Sequence, residues 1–153
     1  MSQTVLHAFV APMIGLALSS IWRGHGSTIF LEFGELRERL KRDGSQANPV
    51  GQMSLMIEWS WRIEDHTTIR CGSWSEEELW PGAFAAILGS QVQGVKTFGQ
   101  MPEIEVTFSN GMRILSFMTA EGSPAWALFD GRNAQQRWLS VEAGHLLIHS
   151  REE

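Results

Sequence analysis

The residues of this sequence best suited to nucleophilic chemistry are Cys71, His66 and Asp65. A thiol, an imidazole and a carboxylate can serve as nucleophile, general base and orienting group. Their closeness along the chain argues little for such a site, because catalytic partners normally meet through the fold. A small apolar side chain in a strand and a polar Asp-His turn account for the same residues. We therefore favour a protein without catalytic residues.

Metal and cofactor sites also lack their usual residue patterns. His145 and His149 lie in a segment patterned as a strand, which would separate them by about 13 Å, too far for one ion. The chain contains no C-x-x-C, H-E-x-x-H or carboxylate-rich calcium loop. The glycine-rich segment 24–28 lacks the lysine of a phosphate-binding loop and fits a turn between strands. The sequence therefore predicts no metal ion and no cofactor.

Four tryptophans could line a pocket or an interface: Trp74, Trp80, Trp126 and Trp138. Tryptophan is enriched at binding hot spots, although core packing is its commoner use. Trp74 and Trp80 lie in a connecting segment, where we expect both rings to be exposed. Three carboxylates lie between them: Glu76, Glu77 and Glu78. Such a surface would suit a partner rich in Arg or Lys, through ion pairs and cation–π contacts.

Other glutamates fall on predicted strands: Glu32, Glu58, Glu103 and Glu105. We expect these carboxylates to lie on solvated sheet faces, since charged side chains are rarely buried. They do not predict a general acid–base pair.

The charge of the chain is uneven. Residues 1–75 carry seven Lys/Arg and seven Asp/Glu, whereas residues 76–153 carry five and ten, which accounts for the whole net charge of -5. Nucleic acid is a poor partner for such a chain, because phosphate binding needs clustered basic residues. The acidic half favours a basic protein partner, although solubility alone explains the same balance.

The clearest structural signal is the alternation over residues 53–63. Apolar side chains occupy every odd position: Met53, Leu55, Ile57, Trp59, Trp61 and Ile63. Period two predicts one long strand with one buried face.

Shorter alternations predict further strands. Ile104, Val106 and Phe108 precede the turn 109–111, and residues 112–119 complete a β-hairpin. A strand is also predicted at Ile29–Phe33. The remaining predicted strands are 16–22, 67–71, 90–97, 125–130, 136–141 and 145–149.

One helix is predicted after Pro81, with Phe84, Ile87 and Leu88 forming its apolar stripe and Gly89 in a left-handed C-terminal position. A second, short helix is predicted over 35–42 from acid–base pairs at i,i+4 spacing. The fold class is therefore α+β, with a predominantly antiparallel, bent β-sheet and one main helix.

The chain forms one domain, residues 1–153, by its length and by the lack of a long flexible segment. Gly15, Ile21 and Ile29 recur as Gly89, Val95 and Ile104 at an offset of 74 or 75 residues. The domain could thus contain two similar half-units, 12–74 and 82–149, or simply two ordinary hairpins.

The single cysteine allows no internal disulfide and gives no sign of an oxidising compartment. The apolar stretch from Val5 to Leu18 is shorter than a membrane span, and no basic residue precedes it as in a signal peptide. We expect a cytoplasmic protein that makes no membrane contact.

The pattern resembles a broad set of small, β-rich bacterial domains. The features that carry the resemblance are architectural: Gly15, the strand Trp59-Ser60-Trp61, Gly89, the hairpin Phe108-Ser109-Asn110-Gly111, the strand Pro124–Leu128 and the C-terminal Gly144-His145-Leu146. Small acidic domains of this kind are also similar to immunity proteins, which block a toxin by binding it. The resemblance implies an α+β or mainly β fold and assigns no binding residues.

Our hypothesis is a non-enzymatic protein-binding module, an immunity protein or inhibitor of a basic target. The alternative is a small-molecule-binding domain or minor enzyme whose ligand occupies a cleft of the curved sheet, marked by tryptophans and convergent polar groups. A third interpretation pairs an open strand edge with a second copy to give a homodimer.

Overall fold

The computed structural model describes residues 2–151 and shows an α+β fold dominated by antiparallel sheet. The helices are α1 (Ser2–Val10) and α2 (Trp80–Ile87), and single 3₁₀ turns cover Ala11–Met13 and Glu77–Leu79. The strands are β1 (Leu18–Arg23), β2 (Ile29–Phe33), β3 (Met53–Ile57), β4 (Trp61–Glu64), β5 (Ile69–Gly72), β6 (Val92–Phe98), β7 (Glu103–Phe108), β8 (Arg113–Ser116), β9 (Trp126–Asp130), β10 (Arg137–Glu142) and β11 (His145–Ser150).

The strands form two sheets rather than one. Sheet 1 has the order β1-β2-β3-β9-β10-β11, and sheet 2 has the order β5-β4-β8-β7-β6. One core of fully buried side chains includes Leu31, Leu55 and Leu128 of sheet 1 and Ile63 and Ile114 of sheet 2. The predicted hairpin is confirmed as β7 and β8, which pair antiparallel.

The prediction of one long strand over 53–63 is wrong. Residues 53–57 belong to sheet 1 and residues 61–64 to sheet 2, and the connecting residues 58–60 carry the chain from one sheet to the other. Because both strands turn their odd-numbered residues toward the same core, the alternation continues across the break. The sequence pattern predicts which side chains are buried, but it does not predict which sheet each segment joins.

The prediction of a helix over 35–42 is also wrong. Arg37 and Val50 instead form an antiparallel bridge, with N···O distances of 2.7 and 2.9 Å, inside the long β2–β3 connection. Leu36 and Leu40 are exposed, so a helix there would have had no apolar face to bury. Ion pairs at i,i+4 contribute only a few tenths of a kcal/mol each, which is less than the free energy needed to nucleate a short helix without tertiary packing.

The main helix is confirmed at 80–87, with Pro81 in its first turn and Gly89 at a φ of +89° just beyond it. The helix α1 was not predicted. Leu6, Phe9 and Val10 bury the face that joins it to the core, and their spacing is the i, i+3, i+4 signal of an amphipathic helix.

The two sheets repeat one strand order. In sheet 1, β1-β2-β3 are followed by β9 and β10; in sheet 2, β6-β7-β8 are followed by β4 and β5. The registers correspond too: Leu18 pairs with Phe33 next to a bulge, and Val92 pairs with Phe108 next to a bulge. A common origin of the two predicted half-units stays a prediction.

Candidate functional site

The side chain of Trp74 lies where the sequence places it, on the surface. The residue is 76% exposed, the highest value for a large apolar residue among those described. Its indole Nε1 donates a hydrogen bond to the hydroxyl of Ser60 over 3.2 Å, and Ser60 is itself fully buried. The exposed ring is therefore anchored by a hydrogen bond to a buried hydroxyl.

The expected exposure of Trp80 is wrong. This residue is only 5% exposed, and its ring packs edge-on against Trp61 with centroids 4.9 Å apart. Its Nε1 donates to the carbonyl oxygen of Gly72 over 3.0 Å. Trp80 is the first residue of α2, and the inward face of that helix carries it into the core.

The three predicted glutamates are all exposed but are not equivalent. Glu77 receives two hydrogen bonds from the guanidinium of Arg23, at 2.8 and 3.0 Å, and these lower the pKa of its carboxyl. The same guanidinium lies 4.7 Å from the centre of the Trp80 ring. Glu76 and Glu78 form no ion pair with any residue of the described range 2–151. These two carboxylates are the ones available to a basic partner.

The surroundings of Cys71 and Asp65 do not favour nucleophilic chemistry. The Asp65 carboxylate accepts hydrogen bonds from the backbone N–H groups of Thr67 and Thr68, which lower its pKa and close a turn. Cys71 is 1% exposed, and burial raises the pKa of its thiol to about 11. A thiol with that pKa is protonated at neutral pH and is a poor nucleophile.

A pocket of about 460 Å³, which we call the sheet 1 pocket, lies on the face of sheet 1 that points away from the core. Trp22 and Phe30 are cross-strand neighbours on β1 and β2, and their rings stack with centroids 4.0 Å apart and an interplanar angle of 7°. Phe129 of β9 lines the opposite side, and the β2–β3 connection closes one wall with Arg37 and Arg39.

Glu32 lies in this pocket and is 1% exposed, so the expected solvated position of this carboxylate is wrong. Its Oε1 accepts hydrogen bonds from the Gly51 N–H, at 3.0 Å, and from the hydroxyl of Ser54. Its Oε2 accepts one from the Trp22 indole over 2.9 Å. Glu32 forms no ion pair with residues 2–151, so neutral donors alone compensate its burial. Glu105 is likewise buried, but it is paired with Lys96 at 3.0 Å.

Sequence reasoning missed the Trp22, Phe30 and Glu32 group. The available signal was two large aromatic residues at outward positions of adjacent strands, where single-faced sheets usually carry polar side chains.

A smaller pocket of about 380 Å³ lies between the start of β7 and the β8–β9 connection. Its only charged lining residues are Glu103 and Glu121, and the Glu103 carboxylate already accepts hydrogen bonds from the Ser116 hydroxyl and the Met118 N–H.

Of the other predicted tryptophans, Trp126 is fully buried, and Trp138 is half-buried in a stack between Phe129 and His149.

Within residues 2–151, no three histidine, cysteine or acidic side chains converge in a way that could hold a metal ion. The helices of that same range are all too short or too polar to cross a membrane. Comparison of the chain with protein-family models, curated proteins and solved structures gives no significant match. The likeness to immunity proteins therefore stays a prediction.

Proposed function

We propose that this protein is a non-enzymatic binding module for a basic protein, which it holds at a surface made by Trp74, Glu76 and Glu78. We call these three residues the Trp74 surface. The observation that carries the proposal is the 76% exposed indole of Trp74, whose N–H is hydrogen-bonded to the protein's own Ser60. Exposing so large an apolar ring is unfavourable in water, and burying it against a partner recovers that free energy.

The orientation of the ring favours tight binding. A side chain that is already ordered loses little conformational entropy on association, and the Ser60 hydroxyl holds Trp74 before any partner arrives. Truncation of such a tryptophan at a binding hot spot typically costs at least about 2 kcal/mol, or about thirtyfold in affinity.

The charge of the surface selects the partner. Glu76 and Glu78 are exposed and make no ion pair within the described part of the chain, whereas Glu77 is already neutralised by Arg23. Exposed carboxylates two and four residues along the chain from an exposed aromatic ring suit arginine, which can pair with an acid and stack on a ring. Arrival of a cationic partner would be accelerated by the acidic half of the chain and slowed by salt. Blocking of a basic toxin, as by an immunity protein, is the specific form of this function that we favour.

The test is quantitative capture from the native cell with matched baits. Wild-type protein, Trp74→Ala and Glu76→Gln/Glu78→Gln are compared with two controls, Leu40→Ala and Glu35→Gln/Glu38→Gln. The controls remove an exposed apolar side chain or two exposed glutamates from the β2–β3 connection, so they match the apolar character of the first change and the charge of the second.

The expected result is a protein of basic isoelectric point that the wild type and both controls retain and that the two Trp74 surface variants lose. With that protein purified, association should slow steeply as salt is raised, and the double glutamine variant should have a shallower salt dependence. A partner retained equally by all five baits, or an association rate independent of salt, would contradict the proposal.

A further inference from the structure

Corresponding outward-facing positions of the two sheets are occupied by different kinds of side chain. Trp22 and Phe30 are cross-strand neighbours in the β1–β2 pair, and the same positions of the β6–β7 pair hold Lys96 and Glu105, joined by an ion pair of 3.0 Å. An ion pair is an ordinary way to finish a solvated sheet face. The stacked aromatic pair is therefore not required by the fold, because the other sheet forms without it.

The connections after β2 and β7 differ in the same sense. The β7–β8 turn is a tight one over residues 109–112, whereas the β2–β3 connection runs over residues 34–52 and brings Arg37 and Arg39 to the pocket. The long connection covers one side of the stacked rings and converts a flat sheet face into a concave one. The extra residues of sheet 1 and its aromatic pair thus build a single site.

Glu32 holds together the two parts of this site, the aromatic ring of Trp22 and the β2–β3 connection. One carboxylate oxygen accepts a hydrogen bond from the Trp22 indole. The other accepts one from the N–H of Gly51, near the end of the long connection. Both oxygens are occupied, and the residue is 1% exposed, so it does not offer itself to a ligand. Its burial is unfavourable by itself, and a carboxylate satisfied by neutral donors fixes the ring and the loop relative to each other.

The accessible charges of the pocket are positive. Arg37, Arg39 and Arg151 line it, all three are exposed, and none of them forms an ion pair within residues 2–151. Five other arginines of the described chain are paired with acids: Arg23, Arg62, Arg70, Arg113 and Arg132. In a chain of net charge -5, three arginines without ion pairs around a pocket with an aromatic floor mark a site for an anion.

From this geometry we propose that the sheet 1 pocket binds a small molecule with a flat aromatic ring and one anionic group. The ring lies against Trp22, Phe30 and Phe129, and the anion pairs with Arg37 and Arg39 of the long connection, with Arg151 adding positive charge nearby. The pocket, of about 460 Å³, has the size of sites for small ligands. This site is separate from the Trp74 surface and would give the protein a small-molecule ligand besides its partner.

The test measures binding by calorimetry with two anionic probes and their uncharged analogues. Indole-3-acetate represents aromatic carboxylates and is paired with indole-3-acetamide; adenosine monophosphate represents nucleotides and is paired with adenosine. Binding of indole-3-acetate alone would assign the site to carboxylates, and binding of the nucleotide alone would assign it to phosphates. In either case the neutral analogue should bind at least about tenfold more weakly, as expected for loss of a charge-assisted hydrogen bond.

Two pairs of variants locate the site. Arg37→Gln/Arg39→Gln should weaken anion binding about tenfold or more, while Lys41→Gln/Arg42→Gln, which removes the same charge from the same connection outside the pocket, should not. Trp22→Leu should weaken binding of the charged and the neutral probe together, and Trp74→Ala should leave both unchanged.

Circular dichroism of each variant verifies the fold. Equal binding of charged and neutral probes, equal loss in the two double variants, or no binding of any probe at about 1 mM would overturn the proposal.

Discussion

Trp61 and Trp126 are the first residues of β4 and β9, the strands that follow each passage of the chain from one sheet to the other. Their indoles make equivalent hydrogen bonds. Both are fully buried. The Trp61 indole donates to the Ser27 carbonyl oxygen over 2.7 Å, and the Trp126 indole donates to the Pro102 carbonyl oxygen over 2.9 Å. Ser27 and Pro102 each lie just before the second strand of a meander, β2 or β7. Each tryptophan therefore ties a crossing strand to a loop of the opposite sheet.

Replacing either tryptophan with phenylalanine should destabilise the protein by a similar amount. Each change leaves a carbonyl oxygen without its indole donor and a gap beside the smaller ring, which together cost about 2–4 kcal/mol. Leu40→Ala is the control, because its 71% exposed side chain should change the free energy of unfolding by less than about 0.5 kcal/mol. Urea denaturation measures all three; a loss confined to one of the two buried positions would show that the contacts are not equivalent.

Gly15 and Gly89 precede β1 and β6 and both have a φ of +89°. A Cβ at either position would meet no atom within 4 Å, so substitution by alanine changes only the backbone energy. We expect Gly15→Ala and Gly89→Ala each to destabilise the protein by about 1–2 kcal/mol. Gly82→Ala, in the exposed part of α2 and also unobstructed, should instead stabilise it by up to about 1 kcal/mol. Thermal unfolding measures the midpoint temperature of each variant. A shift of all three midpoints in the same direction would contradict this account.

Asp130 makes stability depend on pH in the acid range. Its carboxylate accepts hydrogen bonds from the Arg132 guanidinium, both at 2.9 Å, and these hold its pKa below the usual value. The native state therefore binds this proton less readily than the unfolded chain does. The stabilisation is complete above the ordinary pKa, about 3.9, and is lost as pH falls through the lower native pKa.

Asp130→Asn should accordingly be less stable than the wild type at pH 7, and the difference should shrink toward pH 2. Chemical denaturation at a series of pH values measures the gap. A gap of the same size at both ends of the range would mean that the ion pair with Arg132 is not its cause.

Cys71 should be unreactive in the native protein. With its pKa raised to about 11 by burial, the thiolate fraction at pH 8 is more than a hundredfold lower than for an exposed cysteine of pKa about 8.5. Reaction with an aromatic disulfide reagent should therefore be at least about a hundredfold slower in native buffer than in denaturing urea. Comparable rates in the two solvents would show that the strand β5 opens readily.

Local sequence patterns were sufficient for several elements. Period-two alternation predicted the strands, the turn residues Asn110 and Gly111 predicted the β7–β8 hairpin, and Pro81 with Gly89 bounded the main helix. Each of these depends on residues close together in the chain, where backbone preference and burial act directly. The exposure of Trp74 belongs to the same group, because it lies in a turn between elements.

Tertiary structure alone decided how these elements meet. The alternation over 53–63 specified a buried face but not the change of sheet, since both sheets enclose one core. The placement of Trp80 inside and of Glu32 beneath a loop depended on residues far away in sequence: Trp61 for the first, Trp22 and Gly51 for the second. Side-chain periodicity gives the direction in which a residue points, whereas a pocket or a contact also requires the partner that the fold brings to it.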